Sequence, residues 1–204
     1  MSLSLTLQGL AKSYPGRPVF KNIDAVVESG SRLVITGPNG SGKSTMMRVI
    51  CGFNRPTKGK VILKIDDNEH ERLELRKHVG LVSPDLVLYD ELTAFENLSF
   101  FSTVSGKGYT IEEFKEKLED VGLGGRGDDL AGSYSSGMKQ RLKYCLALMK
   151  NPKLLLLDEP TSNLDDIGKE LVDNIIKNHD GIVVIATNEK TELGYGDEII
   201  RLGQ

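Results

Sequence analysis

The stretch GPNGSGKST, Gly37 to Thr45, constrains this chain of 204 residues more than any other part of its sequence. It follows the aliphatic run RLVIT and matches the pattern Gly-x-x-x-x-Gly-Lys-Ser/Thr where a strand pattern gives way to a helix pattern. Glycine lets the backbone wrap closely around an anion with successive N–H groups pointing inward, and the helix N-terminus adds partial positive charge. The stretch therefore predicts a phosphate cradle at the end of a buried strand.

Two side chains of the predicted cradle have roles of their own. Lys43 is placed to reach the β- and γ-phosphates of a nucleotide, and the Ser44 hydroxyl is a ligand for Mg²⁺. A plain glycine-rich turn before a helix is the alternative, and the strand, spacing, lysine and serine together argue against it. The remaining nucleotide-binding positions of the cradle are Gly37, Pro38, Asn39, Gly40, Ser41, Gly42 and Thr45.

Two adjacent acids end a second aliphatic run, LLLLDEP. Four leucines in succession predict a strand buried on both faces, and we expect it beside the strand that delivers the cradle. Ligands of open α/β sheets bind at the carboxyl ends of such strands, so Asp158 is predicted to hold Mg²⁺ through water. Glu159, just past the strand end, is free to orient or deprotonate an attacking water. A strand-to-loop cap with solvated acids is the alternative.

The turn SYSSG before the basic helix MKQRLKYCLALMK admits two interpretations. Ser135, Ser136 and Gly137 would form a second anion-binding helix N-terminus. Such a site is redundant in one subunit, but it is useful if two copies face each other and each closes over the other's nucleotide. Plain N-capping by Ser135 or Ser136 explains the same residues, and the pattern leaves both interpretations open.

Strand and helix patterns divide the chain into a core and an insert. The N-terminal part is rich in strand patterns, the middle carries helical periodicity, and strand–helix alternation resumes from KLLLLDEP to a short strand pair such as EIIRLG. These patterns predict an α/β fold with a mostly parallel central sheet, an N-terminal antiparallel β subdomain and a helical subdomain. We assign 1–83 and 151–204 to a core lobe and 84–150 to a helical lobe within one domain.

Composition excludes several classes of protein. The formal net charge of −3 gives no sign of a nucleic-acid-binding surface, and the aliphatic runs are far shorter than the roughly 18 residues that cross a bilayer. The N-terminus MSLSLTLQGL alternates polar and apolar residues and is predicted to be a strand. Cys51 and Cys145 lie in apolar helical contexts without metal-like spacing, which favours reduced thiols in a cytoplasmic protein.

The order and spacing of the cradle, the two acids, SSGMKQR and TSNLD resemble the ATP-binding cassette (ABC) ATPases over nearly the whole chain. The resemblance implies a P-loop NTPase that binds ATP and Mg²⁺. It implies that Tyr134 to Met138 is the signature motif, whose residues contact the γ-phosphate held by the opposite subunit. It places the D-loop on Ser162 to Asp165 at the dimer seam, and it assigns adenine stacking to Tyr14. The signature contacts carried over are Ser135, Ser136, Gly137 and Met138.

Three positions depart from the family pattern. The signature has Ser136 and Met138 where glycine and glutamine are usual. The loop into the helical lobe has Pro84 in place of a glutamine, and the nearby Asp85 either approaches Mg²⁺ or water or is a solvated loop acid. Asn188 replaces the switch histidine; asparagine donates a hydrogen bond to the γ-phosphate but carries no positive charge. We therefore expect slow hydrolysis by a homodimer, or dependence on a partner.

The resemblance predicts an ATP-hydrolysing subunit, peripheral at the inner face of the cell membrane. It would pair with a second nucleotide-binding subunit, as a homodimer or a heterodimer, and dock on separate permease subunits. ATP binding would close the pair and hydrolysis would reopen it. The groove beside SPDLVLYDELTAFENLSFF would receive the permease, with Val87, Tyr89 and Phe95 as exposed candidates; the alternative is that each belongs to the core of the helical lobe. A weaker likeness points to the haem-exporter ATPases of cytochrome c biogenesis. A soluble ABC ATPase of an assembly scaffold, of the iron–sulfur biogenesis type, is the alternative.

Overall fold

The computed structural model describes residues 2–203, which form two β-sheets and a set of helices. The strands are β1 Leu3–Tyr14, β2 Arg17–Glu28, β3 Arg32–Thr36, β4 Lys58–Ile65, β5 Asn68–Glu71, β6 Val79–Val82, β7 Leu154–Asp158, β8 Ile182–Thr187 and β9 Glu198–Arg201. The α-helices are α1 Lys43–Ile50, α2 Arg72–Leu75, α3 Ala94–Val104, α4 Ile111–Asp120, α5 Ser136–Leu148 and α6 Asp166–Asn178. Short 3₁₀ turns lie at Arg76–His78, Ala131–Ser133 and Glu192–Tyr195.

The chain divides into two compact units. The first comprises the chain up to Ser83, Pro152–Pro160 and the chain from Ile176 onward, and the second comprises Pro84–Asn151 and Thr161–Ile175. Residues 161–175, which the sequence pattern assigned to the core lobe, group here with the helices. Within the second unit, Arg141 of α5 and Asp165 just before α6 form an ion pair, with 2.8 Å between nitrogen and oxygen.

An antiparallel sheet of the first unit has the strand order β2-β1-β4-β5. Along β1 the apolar residues Leu3, Leu5 and Leu7 are buried, while Ser4 and Thr6 between them are partly exposed. This period of two is what a strand with one buried face requires. The buried leucines join a core cluster with residues of α1, β3, β7 and β8, so both sheets of this unit share one core.

The parallel sheet of the first unit has the order β6-β7-β8-β3-β9, and its four strand pairings are all parallel. The prediction that the LLLLDEP strand lies beside the cradle strand is wrong, because β8 lies between β7 and β3. All six residues of β8 are buried, so it meets the same requirement for a central position as β7. The segment EIIRLG forms one strand, β9, which pairs with β3 rather than with a second short strand.

The second unit is built from α3, α4 and α5, which pack through buried side chains that include Leu98, Phe114 and Tyr144. Helices α3 and α4 each begin with a capping box, in which a threonine side chain accepts from the third backbone N–H and a glutamate returns the bond. Within residues 2–203, no helix is both long and apolar enough to cross a bilayer.

Both thiols are buried, Cys51 after α1 in the first unit and Cys145 on α5 in the second. Burial raises the pKa of the Cys51 thiol, and burial raises the pKa of Cys145 to about 12. A thiol with a raised pKa holds little thiolate near neutral pH and is a poor nucleophile.

Candidate nucleotide site

The predicted cradle joins β3 to α1, and two of its glycines occupy places that a side chain would fill. Gly42 has a φ of 104°, and a Cβ built there would lie 2.3 Å from Cγ1 of Val19. Only glycine adopts that conformation at this distance from a neighbouring strand without displacing it. The backbone therefore wraps tightly from the end of β3 to the first turn of α1.

Lys43 folds back over this loop. Its side chain is buried, and Nζ donates to the carbonyl oxygen of Gly37 at 2.8 Å and more weakly to that of Pro38 at 3.4 Å. The buried Ser41 hydroxyl has no hydrogen-bond partner among the described residues. A buried polar group without a partner is costly, so the cradle is suited to a ligand with acceptor oxygens.

A cleft of about 630 Å³ opens over the cradle. Its size falls within the range of small-molecule sites, roughly 300–1,000 Å³. Tyr14 lies at one side with 46% of its surface exposed, and Nζ of Lys12 lies 4.8 Å from the centroid of its ring. Besides Tyr14 and the cradle residues 39–45, the cleft is lined by Arg17, Pro18, Val19, Glu159 and Gly203.

The two acids lie where their strand ends. Asp158 is the last residue of β7 and only 4% exposed, while Glu159 follows it in the cleft wall. Glu159 has a φ of 52°, unusual for a residue with a side chain, and its N–H donates to the carbonyl oxygen of Ala186 at 2.9 Å. Such an outlier persists only where neighbouring contacts hold it, and it is typical of functional sites.

The oxygens at this site fit Mg²⁺. Ser44 offers a hydroxyl and Asp158 a carboxylate, which are the hard ligands the ion prefers. The described residues contain no group of three or more histidine, cysteine or acidic side chains that could hold a metal unaided.

Asn188 follows β8 and points its amide toward the cradle. Its Nδ2 donates to Oδ1 of Asn39 at 3.2 Å. The position expected for the switch residue is therefore in direct contact with the phosphate loop in this structure. Both groups are neutral amides, so Asn188 would bring no positive charge to a phosphate in the cradle.

The predicted signature turn begins α5. Ser135 is the N-cap, and its Oγ accepts from the backbone N–H of Met138 at 3.2 Å, which is the plain capping arrangement that the sequence left open. Ser136 is exposed, and Tyr134 is buried with its hydroxyl donating to the carbonyl oxygen of Arg126 at 2.7 Å. The turn thus presents a capped helix N-terminus with an exposed serine.

The predicted D-loop residue Asp165 is held by two donors. Its Oδ1 accepts from the guanidinium of Arg141 and from the backbone N–H of Gly168, each at 2.8 Å. The Gly168 N–H and then the Arg141 side chain lower the pKa of this carboxyl below its ordinary value. Arg141 therefore links α5 to the start of α6.

The loop that enters the second unit places Asp85 near Lys143 of α5. Burial lowers the pKa of the Lys143 ammonium, and the charge of Asp85 raises it in partial compensation. The Lys143 ammonium also donates to the carbonyl oxygen of Pro84 at 3.3 Å. Asp85 is itself exposed, and its charge faces this lysine.

The three predicted permease contacts differ in exposure. Val87 is 75% exposed and Tyr89 44% exposed. Phe95 is half-buried, and its ring would lie 2.1 Å from a Cβ built on Gly127. Of the two interpretations of Phe95, packing within the lobe is the one that its environment favours, because its ring packs against the glycine. The ring of Phe100 instead packs edge-on against the ring of Tyr89, with 5.0 Å between the ring centroids.

Several residues near these features were not found from the sequence. Arg17, Pro18 and Val19 line the cleft because the β1–β2 hairpin returns beside the cradle, and Gly203 does so from the far end of the chain. The turn shortly after Tyr14 could have predicted this, because the second strand of a hairpin must lie next to the first and so near the same cleft. Nothing in the sequence marked Gly203 or Arg141.

Comparison with known proteins identifies the family. The ABC transporter family model matches residues 20–162. The lantibiotic transport ATP-binding protein SrtF of Streptococcus pyogenes is 36% identical over 173 residues, which are 85% of this chain and 73% of that protein. An uncharacterized ABC transporter ATP-binding protein of Methanocaldococcus jannaschii is 36% identical over 192 residues, covering 89% of this chain and 86% of that protein.

Solved structures agree with the sequence comparison. The dimeric structure of a post-hydrolysis state of an ATP-binding cassette bound to ADP and Pi superposes with a TM-score of 0.81. That cassette is 28% identical, over 97% of this chain and 94% of its own. The matches confirm the predicted fold class, an α/β cassette with a parallel sheet, an antiparallel sheet and helices. This chain belongs to the ABC transporter family.

Proposed function

We propose that this chain binds and hydrolyses MgATP as the nucleotide-binding subunit of an ABC transporter. The observation that carries the proposal is the cleft of about 630 Å³, because the cradle, Tyr14 and Glu159 all line it. A phosphate loop, an aromatic platform and a carboxylate around one cavity are the parts that a nucleotide hydrolase needs. The family match over residues 20–162 supports the same activity.

Nucleotide binding uses groups that are already in place. The adenine stacks on Tyr14, whose ring is nearly half exposed, and the phosphates accept from the inward N–H groups of the cradle. Lys43 exchanges its bonds to loop carbonyls for the β- and γ-phosphates, so its buried ammonium keeps acceptors throughout. Ser44 and Asp158 would hold Mg²⁺, which would neutralise phosphate charge.

Hydrolysis then depends on Glu159. Its carboxylate lies in the cleft wall one residue beyond the strand, where it orients a water and accepts its proton. Asn188 offers an N–H to the γ-phosphate when it leaves Asn39. An amide stabilises the developing phosphoryl charge less than a cation would, so we infer slow turnover for this subunit alone.

The signature turn completes the site in a second copy. In this proposal the exposed Ser136 and the N-terminus of α5 meet the γ-phosphate bound by the opposite subunit, while Ser135 keeps its capping bond. A twofold pair makes each contact twice, and the related cassette that holds ADP and Pi is dimeric. Asp165 lies at the seam, held in place by Arg141.

The catalytic role and the pairing are tested together by Glu159→Gln. The amide cannot accept a proton, so the variant should bind ATP normally, lose at least about a hundredfold in turnover and accumulate as an ATP-bound dimer. Nucleotide affinity, phosphate release and size-exclusion chromatography with multi-angle light scattering measure the three effects. Glu28→Gln, an exposed acid at the end of β2, is the matched control. A variant that stays monomeric with ATP and turns over at the parental rate would contradict both roles.

Coupling to a permease is proposed for the aromatic surface of the second unit, formed by Val87, Tyr89 and Phe100. Exposed apolar groups mark interaction sites when they are contiguous, and the rings of Tyr89 and Phe100 are in contact, with Val87 exposed two residues before Tyr89. Tyr89→Glu should abolish co-purification with a polytopic membrane protein and leave basal ATP turnover intact. Stable association with a soluble scaffold instead would favour the assembly-scaffold alternative.

A further inference from the structure

A second cavity of the first unit, here called the basic pocket, lies apart from the nucleotide cleft. It measures about 350 Å³ and shares no lining residue with that cleft. Its floor is apolar and consists of Val49 and Ile50 of α1, Val61 of β4 and Leu75 of α2. All four side chains are at most 7% exposed and belong to the hydrophobic core of this unit, so the floor of the pocket is apolar.

The rim of the basic pocket is cationic. It carries Arg55, Lys58, Lys60 and Arg72, with Glu71 as its one acid. Lys60 and Glu71 lie 3.7 Å apart as an ion pair. The other three cations have no ion-pair partner among residues 2–203, so the rim has an uncompensated charge of about three.

Charge is segregated around this cavity in the sequence as well. From Ser29 to Ile65 the chain contains seven lysines and arginines and no acid, although the whole chain has 29 acids against 26 bases. Two of these bases already have hydrogen-bond partners. Arg32 donates to carbonyl oxygens at the end of α6, and Lys43 donates to a carbonyl oxygen of the cradle. Arg55 and Lys58 are exposed and have no such side-chain partner among residues 2–203, so their charges are available to a ligand.

The walls of the basic pocket are held in an uncommon conformation. Arg72 has a φ of 40°, a backbone region that side chains rarely adopt. Gly52 permits this arrangement, because a Cβ there would lie 2.7 Å from the carbonyl oxygen of Arg72. Arg76 donates from NH2 to the carbonyl oxygen of Gly52 at 2.6 Å and fixes the same wall. The fold thus maintains a strained segment at the edge of a cavity, which is typical of ligand sites.

We propose that the basic pocket binds a small amphiphilic anion, an aromatic or branched aliphatic group carrying one carboxylate, sulfonate or phosphate. The apolar part lies on Val49, Ile50, Val61 and Leu75, and the acid group faces the cationic rim. The size favours a small molecule, since about 350 Å³ is near the lower end of ligand pockets and a helix about 10 Å wide needs an open groove. The inference does not depend on the proposed ATPase activity.

The test uses 1-anilinonaphthalene-8-sulfonate, whose fluorescence rises in an apolar environment, with the neutral analogue N-phenyl-1-naphthylamine as its partner. The full chain is first saturated with MgADP so that the nucleotide cleft is filled. We expect one sulfonate dye per chain, bound at least about tenfold more tightly than the neutral dye, because only the sulfonate meets the rim. Arg55→Glu and Lys58→Glu should each weaken sulfonate binding by about tenfold or more.

Lys64→Glu is the matched control, since Lys64 is an exposed lysine of the same strand β4 outside the basic pocket. All three changed residues are exposed, and unaltered circular dichroism and MgADP affinity verify that the variants fold. Equal weakening by Lys58→Glu and Lys64→Glu, equal affinity for the two dyes, or absence of saturable binding would each overturn the proposal. Displacement of the dye by excess MgATP would locate it in the nucleotide cleft and would overturn it as well.

Discussion

Asn188, which the resemblance predicts to stand in place of a switch histidine, contacts Asn39 of the predicted cradle through its amide at 3.2 Å. The contact gives an amide N–H of Asn188 an acceptor and the amide oxygen of Asn39 a donor. The difference from histidine appears only when negative charge develops on the γ-phosphate. A neutral donor then contributes less than a cationic one.

Asn188→His should therefore raise ATP turnover. A transition-state donor of this kind is worth on the order of 3 kcal/mol, so the gain could reach about a hundredfold at saturating ATP. Steady-state phosphate release checks it, and Asn178→His, an exposed asparagine at the end of α6, shows the effect of an added imidazole elsewhere. An unchanged rate for Asn188→His would refute the idea that this position limits hydrolysis.

The residues of the cleft differ in how far the sequence reveals them. Lys43, Ser44 and the cradle glycines act through local geometry, so a short pattern between a strand and a helix is enough to find them. Val19 and Gly203 line the same cleft from distant parts of the chain, and only tertiary pairing brings them there. Glu159 was found from its place after β7, but its positive φ was not.

Among the elements, α4 illustrates how a helix with few buried residues is specified. It begins at a capping box between Thr110 and Glu113, and Phe114 and Leu118 are its buried residues. With so little burial, the start of the helix depends on the cap, whose loss costs about 1 kcal/mol.

Thr110→Ala should lower the free energy of unfolding by about 1 kcal/mol, because the N–H of Glu113 loses its acceptor. Urea denaturation followed by circular dichroism measures the change. Glu116→Ala, an exposed position in the same helix, should change stability by less than about 0.5 kcal/mol. Equal effects of the two substitutions would show that the cap contributes nothing.

Strand order was the element-level feature that the sequence did not determine. The runs RLVIT, LLLLD and IVVIAT are all aliphatic on both faces, so each satisfies the pattern of a central strand. Nothing in that pattern distinguishes which of β7 and β8 is the neighbour of β3. The antiparallel strand β1 was easier to recognise, because its alternation of leucine with serine and threonine assigns each face.

At the scale of the whole molecule, stability depends on pH through two histidines with lowered pKa values. Burial is the main cause for both His78 and His179; nearby positive charges add to it, while Asp180 partly opposes it for His179. The buried Nε2 of His179 has no hydrogen-bond partner among the described residues. The folded state therefore resists protonation of these rings more than the unfolded chain does.

Stability contributed by these histidines is fully present above the ordinary histidine pKa of 6.5 and is lost as pH falls through the lower folded-state pKa. Urea midpoints at pH 7.5 and pH 5.5 should show the decrease, with a slope of at most about 1.4 kcal/mol per pH unit for each proton. His179→Gln should make the slope shallower, and Asn178→Gln next to it should not. If the stability of His179→Gln depended on pH as steeply as that of the parental protein, His179 would be excluded as a cause of the pH dependence.

The burial of both native cysteines has a practical consequence for following the molecule at work. With the pKa of Cys145 near 12 and that of Cys51 raised, neither competes for a maleimide under mild conditions. One cysteine introduced at an exposed position outside the proposed site, such as Glu116, would then be the sole site of attachment for a fluorophore or spin label. The native cysteines therefore need not be replaced before labelling, and the wild-type chain treated with the same reagent is the control.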